Sequence, residues 1–156
     1  EQVRETVNFA VPEDNGMNYI DRVETDWAFR IQLPIGTNVP FHCTASGKCF
    51  LSSLKKREIN GILSSIKLEA ITEKTHVTPE GLMQELNQIK KQGYALDREE
   101  FMEGMIAIAV PIKDREDRFV GALAFHGPTQ RISIENAVAR KEILISASQK
   151  LMEHLF

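Results

Sequence analysis

The stretch Phe41–Leu51, with the sequence FHCTASGKCFL, gathers several side chains that could do chemistry. It is predicted to be a loop that runs into a helix. Thr44 or Ser46 would be the N-cap, because a short hydroxyl accepts hydrogen bonds from the free N–H groups of a first helical turn. Ala45, Ser46 and Gly47 keep side-chain bulk low, so an anion or a carbonyl group could dock on those N–H groups. The alternative is an ordinary helix start at which small residues allow close packing.

The same stretch offers two other kinds of chemistry. A thiolate at a helix N-terminus can have a lowered pKa, so Cys43 could be reactive, although a buried cysteine more often packs as a small apolar residue. Cys43 and Cys49 lack CxxC spacing, and His42 with Cys43 forms no paired-ligand motif, so neither a metal nor a cofactor is predicted. The chain also lacks a GxSxG elbow, a P-loop and a GxGxxG motif. A binding module is therefore favoured over an enzyme, with a Cys43 thiol redox enzyme as the alternative.

Composition limits the class of protein. A chain of 156 residues predicts one domain with a sizeable core, and 42% hydrophobic with 26% charged residues is ordinary for a soluble globular protein. The formal net charge of −3 gives no electrostatic footprint for nucleic acid. No apolar run reaches membrane-spanning length, the first residues show no signal-peptide pattern, and two cysteines fit a reducing cytoplasm. We expect a cytoplasmic protein without a membrane partner.

Three strands are predicted ahead of the Phe41–Leu51 stretch. Apolar residues alternate with polar or small ones over Thr6–Val11 and Trp27–Leu33, and Met17–Glu24 carries Tyr19, Ile20 and Val23. Short connections between them indicate an antiparallel meander. A loop over Pro34–Pro40 then leads to the opening stretch.

Helices follow these strands. The first is predicted over about Thr44–Leu54, and apolar residues at helical spacing predict a second over Lys55–Ile66. Ala70–Val77 is threonine-rich and predicted to be irregular. Thr78 is an N-cap with proline at the next position, and Gly93 ends the third helix.

The clearest hairpin joins Met105–Lys113 to Arg118–His126 through a four-residue turn. Its predicted register places Ala109 opposite Ala122, Ala107 opposite Ala124 and Met105 opposite His126, and all six side chains share one face. The other face is bulky, with these residues: Ile106, Ile108, Val110, Ile112, Phe119, Leu123 and Phe125. The alanine face indicates either a closely packed helix or a cavity for a small molecule.

Two polar groups lie at the edge of this alanine face. Asp97 ends the short extended segment Tyr94–Asp97, and His126 ends the hairpin. A solvated or ligand-facing position suits each, because burying either group unpaired is costly. The alternatives are a turn or cap carboxylate for Asp97 and a strand-end surface histidine for His126. A last helix, Ile134–Phe156, is capped by Ser133, and the order of elements predicts an α+β fold with an antiparallel sheet.

Several segments resemble one family. His42–Lys48 resembles the HxTAxGK segment of IclR-type bacterial transcriptional regulators, and Gly93–Glu100 resembles their GYxxDxEE segment. Gly104, Ile108–Pro111 and Gly127–Arg131 fit the family's G…IAAPV…SGPxxR run. The motifs occur in the family's order, and the resemblance covers nearly all 156 residues.

The resemblance implies that residues 1–156 are the C-terminal effector-binding domain of such a regulator. Its fold would be α+β and GAF-like, with a central antiparallel sheet flanked by helices. In the family a winged helix-turn-helix precedes this domain and binds DNA, and that segment is expected to be absent from this chain. Family members bind small metabolites, often carboxylates or aromatic acids, and assemble as homodimers and homotetramers. The implied function is to sense an organic-acid effector and mediate oligomerisation, and so control DNA binding.

The resemblance also implies the positions of a ligand pocket. By the family's motifs they are Ala45, Ser46, Gly47, Asp97, Met105, Ala107, Ala124 and His126, with Ile31 and Val39 as apolar walls. Relatives often have a small polar residue at positions 107 and 124 and commonly serine at 126, where this chain has two alanines and a histidine. We expect the effector's carboxylate to meet the Ala45–Gly47 amides, while Asp97 and His126 hold another polar group. An assembly domain without a ligand is the remaining alternative.

Overall fold

The computed structural model describes residues 6–23 and 36–155 of the chain. The strands of this part are β1 (Thr6–Glu13), β2 (Gly16–Val23), β3 (Asn38–Val39), β4 (Ala95–Arg98), β5 (Met105–Lys113) and β6 (Phe119–Pro128). The helices are α1 (Ala45–Ser52), α2 (Lys56–Ser65), α3 (Pro79–Gln92), α4 (Ile134–Ala139) and α5 (Lys141–Leu155). The strand predicted over Trp27–Leu33 and the predicted helix end at Phe156 lie outside the described residues.

These six strands form one antiparallel sheet in the order β3-β2-β1-β6-β5-β4. Helix α1 packs on the alanine-rich face, and α3 packs against α1. Helices α4 and α5 cover the other face, which presents isoleucine, leucine and phenylalanine side chains. The predicted α+β class, with a central antiparallel sheet flanked by helices, is confirmed.

Helix α1 begins as the sequence predicts, and Thr44 rather than Ser46 is its N-cap. The Thr44 backbone is extended, and its hydroxyl accepts a hydrogen bond from the Gly47 N–H at 3.0 Å. Thr78 caps α3 in the same way, and Gly93 ends that helix at a φ of 84°, which glycine adopts without strain. The local residue types therefore determine three helix ends: the starts of α1 and α3 and the end of α3.

The β5–β6 register is where the sequence prediction is wrong. Ala109 lies opposite Ala124, and Ala107 lies opposite His126, a shift of two residues from the predicted pairing. Where the shift is two, side chains keep their predicted faces, because side chains alternate along a strand with a period of two. The division into an alanine face and a bulky face therefore survives the error.

The shift has two local sources. Lys113 lies opposite Phe119 rather than Arg118, so the connection is one residue longer than predicted, and a bulge after Ile112 adds the second residue. The bulge also reverses the face of Phe119, which was predicted on the bulky side. Its ring packs against Phe50 of α1 instead, with centroids 5.3 Å apart.

The last helical segment is not one helix. Ser133 caps it as predicted, its hydroxyl accepting from the Asn136 N–H at 3.1 Å. The helix then breaks at Arg140, whose N–H bonds back three residues to the carbonyl of Ala137 at 3.1 Å, and α5 starts at the next residue.

Within the two described ranges, no helix combines the length and the apolar character needed to cross a bilayer.

Gly47 tests how closely α1 approaches the preceding chain. A Cβ atom at this position would lie 2.4 Å from the Phe41 carbonyl oxygen, which is backbone and cannot swing away. We expect Gly47→Ala to lower the free energy of unfolding by about 2 kcal/mol or more, because the helix start must move. Urea denaturation followed by circular dichroism measures the change.

Gly61 in α2 is the matched control. A Cβ there meets nothing within 4 Å. Gly61→Ala should stabilise the protein by about 0.5–1 kcal/mol, because alanine has the higher helix propensity and the less flexible unfolded chain. Equal effects of the two substitutions would show that Gly47 is not required by close packing.

Candidate functional site

The structure brings most of the predicted site residues to one face of the sheet. Along one row of strand pairs, Asp97 of β4 lies beside Ala107 of β5, which lies beside His126 of β6. In the next row Ala109 lies beside Ala124. Paired residues in adjacent strands share a face, so these side chains point to the side that α1 covers. Asp97 and His126 therefore flank Ala107.

The remaining predicted residues surround this row. Met105 precedes Ala107 on the same face of β5, while Ala45, Ser46 and Gly47 form the first turn of α1. Val39 lies in β3 and belongs to the same buried cluster as Ala45. All of these residues are buried. Ile31 lies outside the described residues.

Tight packing of α1 explains part of the alanine face. Ala109 and Ala122 have no exposed surface and share one core cluster with Ala45 and Cys49 of α1. Small side chains at these positions let helix and sheet approach closely, as the packing alternative predicts. Ala107 and Ala124 retain slight exposure and adjoin the polar residues Asp97 and His126.

His126 is not a surface residue. It is 3% exposed, and its Nδ1 atom lies 2.9 Å from Nδ2 of Asn8 in β1, a residue that the sequence analysis did not select. Asn8 belongs to the same face because its backbone pairs with Ala124. The two residues are 118 positions apart, so only the pairing of β1 with β6 brings them together.

Asp97 is a buried carboxyl that accepts hydrogen bonds from the backbone. Its Oδ1 accepts from the Glu100 N–H at 2.7 Å, which is the turn-capping role that the sequence analysis kept as an alternative. Burial raises the pKa of Asp97 to about 7, and the nearby Lys48 ammonium opposes that rise only in part. The carboxyl can therefore change its protonation state near neutral pH.

A phenol and a hydroxyl lie close to this carboxyl. Burial, together with the negative charge of Asp97, raises the pKa of Tyr19 well above its ordinary value, so the phenol keeps its proton. Ser46 is next to this phenol and is itself buried. Its hydroxyl partly offsets the rise in the Tyr19 pKa by hydrogen bonding to the phenol. The first turn of α1 thus places a polar side chain beside Tyr19.

The largest feature missed by sequence reasoning is a buried cluster of charges around Lys48. Lys48 of α1 has no exposed surface, and its Nζ atom lies 2.8 Å from both carboxylate oxygens of Glu100. Nζ also contacts Glu85 of α3, and Glu85 contacts His76. The Lys48 ammonium contributes to lowering the pKa of Glu85 against the opposing effect of burial. An ammonium is buried here only because two carboxylates surround it.

Further bonds extend this cluster to the rest of the site. Glu100 Oε2 accepts from the Arg98 N–H at 3.0 Å, and the Glu100 carbonyl accepts from the Thr75 hydroxyl at 2.6 Å. The Glu100 N–H is the group that bonds Asp97. Two sequence signals could have indicated the cluster: Lys48 is the lone lysine or arginine in a stretch of small and apolar residues, and two adjacent glutamates end the Gly93–Glu100 motif.

The thiols are packing residues in this structure. Burial and the Asp97 charge raise the pKa of Cys43 to about 12, and burial raises that of Cys49 to about 12. Neither is therefore a thiolate at neutral pH, which removes the basis for a reactive Cys43. The Nε2 atom of His42 lies 2.9 Å from the carbonyl oxygen of Glu69, so this ring has a structural partner.

A different trio has the spacing of metal ligands. Across residues 6–23 and 36–155, donor atoms of His76, Glu85 and Glu100 lie within 4.8 Å of one another. The Lys48 ammonium contacts both of these carboxylates. It already supplies the positive charge that a metal ion would bring, so the trio is complete as a salt-bridge cluster.

Comparison with known proteins adds to this geometry. A family model described as "Bacterial transcriptional regulator IclR C-terminal" matches residues 1–153. The probable transcriptional regulator SauR of Cupriavidus necator is 34% identical over 135 residues, covering 86% of this chain and 54% of SauR. The chain spans about half the length of the curated relatives it matches.

Solved structures agree with the fold. The C-terminal domain of the E. coli regulator KdgR matches with a TM-score of 0.86 at 30% identity, covering 96% of this chain and 87% of that one. The inducer-binding domain of PobR from Acinetobacter, a double mutant in complex with 3-hydroxybenzoic acid, matches with a TM-score of 0.89. It covers 97% of this chain and 89% of that one at 22% identity, which shows likeness of fold alone.

The Lys48 cluster makes a strong prediction about stability. Lys48→Met leaves two carboxylates buried without their cation, so we expect the free energy of unfolding to fall by about 3–5 kcal/mol. Lys48→Met combined with Glu100→Gln should cost less than the sum of the single changes, because the second change removes one orphaned charge. Urea denaturation measures all three variants.

Lys74 provides the control for this prediction. Its ammonium pairs with Glu99 at 2.9 Å, but its side chain is 61% exposed. Lys74→Met should leave the denaturation midpoint nearly unchanged, because exposed ion pairs are screened by water. A similar effect at both lysines would contradict the role assigned to burial.

Asp97 makes a prediction about pH. Its folded-state pKa, about 7, lies above the unfolded value, so the folded protein holds a proton that the unfolded chain has lost. This contribution to stability is complete below about pH 4 and is lost as the pH rises towards 7. From about pH 5 to about pH 8, the wild type should lose on the order of 1 kcal/mol or more relative to Asp97→Asn. Urea denaturation at each pH measures the free energy of unfolding. The prediction is wrong if the values for wild type and Asp97→Asn change in parallel with pH.

Proposed function

The chain belongs to the IclR family of bacterial transcriptional regulators, and on that premise we propose that it senses a small organic acid through the face beneath α1. Its relatives are transcriptional regulators, so the expectation of a regulator rather than an enzyme is confirmed. The match to solved C-terminal domains of this family also confirms the expected GAF-like fold. The observation that carries the proposal is the buried row Asp97–Ala107–His126, in which polar groups flank an alanine under a helix N-terminus.

The carboxylate of the effector would lie at the start of α1. A helix start has free N–H groups and a positive dipole end, and both attract an anion. The Gly47 amide already donates to Thr44, so the first two amides, of Ala45 and Ser46, are the ones proposed to meet the carboxylate. Lys48 is not available to pair with this carboxylate, because its ammonium is already held by Glu100.

The other end of the effector would meet Asp97 and His126. A charged Asp97 would repel a nearby carboxylate, but its raised pKa lets it take up a proton at modest cost when an anion binds. His126 adds a ring nitrogen where, by the family resemblance, serine is common. Ala107 and Ala124 would leave room between these polar groups, with Met105, Val39 and Ile31 as apolar walls. One neighbour in fold, the PobR inducer-binding domain, was solved with 3-hydroxybenzoic acid, which supports an acidic ligand class.

Control of transcription would need parts beyond this site. We propose that a winged helix-turn-helix segment outside residues 1–156 contacts the operator, as the family resemblance implies. Homodimers or homotetramers in the cytoplasm would couple effector binding to DNA binding. The free cysteines, Cys43 and Cys49, suit that reducing compartment.

A panel of carboxylic acids tests the proposal by isothermal titration calorimetry. At least one acid should bind the chain, and Asp97→Ala and His126→Ala should each weaken it about tenfold or more, because each removes a polar partner from a buried site. Circular dichroism should show that both variants remain folded.

Lys74→Ala is the control variant, because the ion pair that Lys74 forms with Glu99 is exposed and lies outside the proposed site. It should bind the same acid with unchanged affinity. Unchanged affinities in both the Asp97 and His126 variants would show that the site is wrongly placed. A chain that binds no acid would favour an assembly domain without a ligand.

A further inference from the structure

Asn8 of β1 is the one buried asparagine on the alanine face among the described residues. Its side chain lies in the row adjacent to the one that contains His126, because the backbone of Asn8 pairs with Ala124. The residue is 1% exposed. Nδ2 of its amide lies 2.9 Å from Nδ1 of His126. The Oδ1 atom of the same amide is buried and has no hydrogen-bond partner among the described residues.

An amide carbonyl without a hydrogen bond is rarely found in a protein interior. Polar atoms inside proteins are nearly always hydrogen-bonded, because leaving one unpaired sacrifices its interaction with water. A valine or leucine at position 8 would fill an interior strand without this cost. Asn18 also has an unpaired carbonyl, but it lies near the β1–β2 turn, is only partly buried, and donates to Glu13 at 3.2 Å.

The helix that covers this face contributes a buried hydroxyl as well. Ser46, in the first turn of α1, is buried, and its hydroxyl lies beside the Tyr19 phenol. The phenol is therefore available to Ser46, whereas Asn8 Oδ1 has no such neighbour among the described residues. The unpaired Oδ1 of Asn8 indicates that a polar molecule completes its hydrogen bonds.

We propose that Asn8 is a specificity-determining residue of the effector site, and that its Oδ1 accepts a hydrogen bond from a hydroxyl group of the bound acid. The ligand class is therefore a hydroxy acid. The proposal deepens the proposed function and depends on it, since the acid would be the one held at the start of α1. A carboxylate or keto oxygen cannot satisfy Asn8 Oδ1, because neither carries a hydrogen to donate.

Asn8 also sets the state of His126. When the amide N–H donates to Nδ1, that nitrogen must be unprotonated, so a neutral ring carries its proton on Nε2. Nε2 is then the donor of this ring. The amide of Asn8 thus fixes both the orientation of the imidazole and the direction in which it donates.

Matched pairs of acids test the ligand class. The probes are lactate against propionate and 3-hydroxybenzoate against benzoate, titrated into the wild-type chain by calorimetry. In a pair that binds, the hydroxylated acid should bind about tenfold more tightly, because the other member leaves the buried acceptor unpaired. In Asn8→Leu, or in Asn8→Ala if the leucine variant fails to fold, this preference should disappear while the acid without a hydroxyl still binds.

Asn18→Ala is the matched control, because it also removes an amide with an unpaired carbonyl but lies by the β1–β2 turn. It should keep the preference for the hydroxylated acid. The assignment is wrong if the two members of a binding pair bind wild type equally, or if Asn8→Leu keeps the preference. If the only acids of the panel that bind lack a hydroxyl group, the hydroxy-acid assignment fails while the organic-acid function stands. If no acid of the panel binds, both fail.

Nitrogen-15 NMR of the His126 ring separates the role of Asn8 from that of the ligand. When the ring is neutral, the wild type should show the proton on Nε2, and Asn8→Leu should shift the ring towards a mixture of tautomers. A proton on Nδ1 in the wild type would mean that the amide is turned over, with Oδ1 already paired. That result overturns the Asn8 proposal while leaving the proposed organic-acid function standing.

Discussion

The burial of the Lys48 ammonium constrains the rest of the site. An ammonium can be removed from water only where carboxylates surround it, and here they come from α3 and from the segment after β4. Lys48 therefore fixes the position of α1 relative to both. Because the Glu100 N–H also bonds Asp97, the same cluster holds in place the carboxyl that faces the alanine row. Helix position and site geometry thus share one electrostatic cause.

Small residues have two consequences in this fold. At Gly47, Ala109 and Ala122 they let α1 lie against the sheet and the preceding chain, and close packing fully accounts for them. At Ala107 and Ala124 the same small size lies next to buried polar groups, and packing alone does not explain those groups. A face that is uniformly small in the sequence pattern is therefore divided in the structure into a packed part and a polar part.

Periodicity proved more informative than the predicted register. Alternation along β5 and β6 assigned the alanine and bulky faces correctly, although the pairing was wrong by two residues. The faces survived because an extra turn residue and a bulge together restore the period of two. Phe119, which lies at the bulge, changed faces. Alternation is a property of each strand alone, whereas register depends on the turn and on the packing of both strands.

The sequence by itself determined the features that depend on neighbours along the chain: strand and helix periods, the Thr78 and Ser133 caps, the glycine that ends α3, and a cap of α1 at either Thr44 or Ser46. Tertiary structure alone decided which charges and amides meet. Asn8 reaches His126 across 118 positions, and Lys48 reaches Glu100 across 52. Such pairs leave no local periodic signal, because they are selected by the free energy of burying polar groups together once helix and sheet have packed.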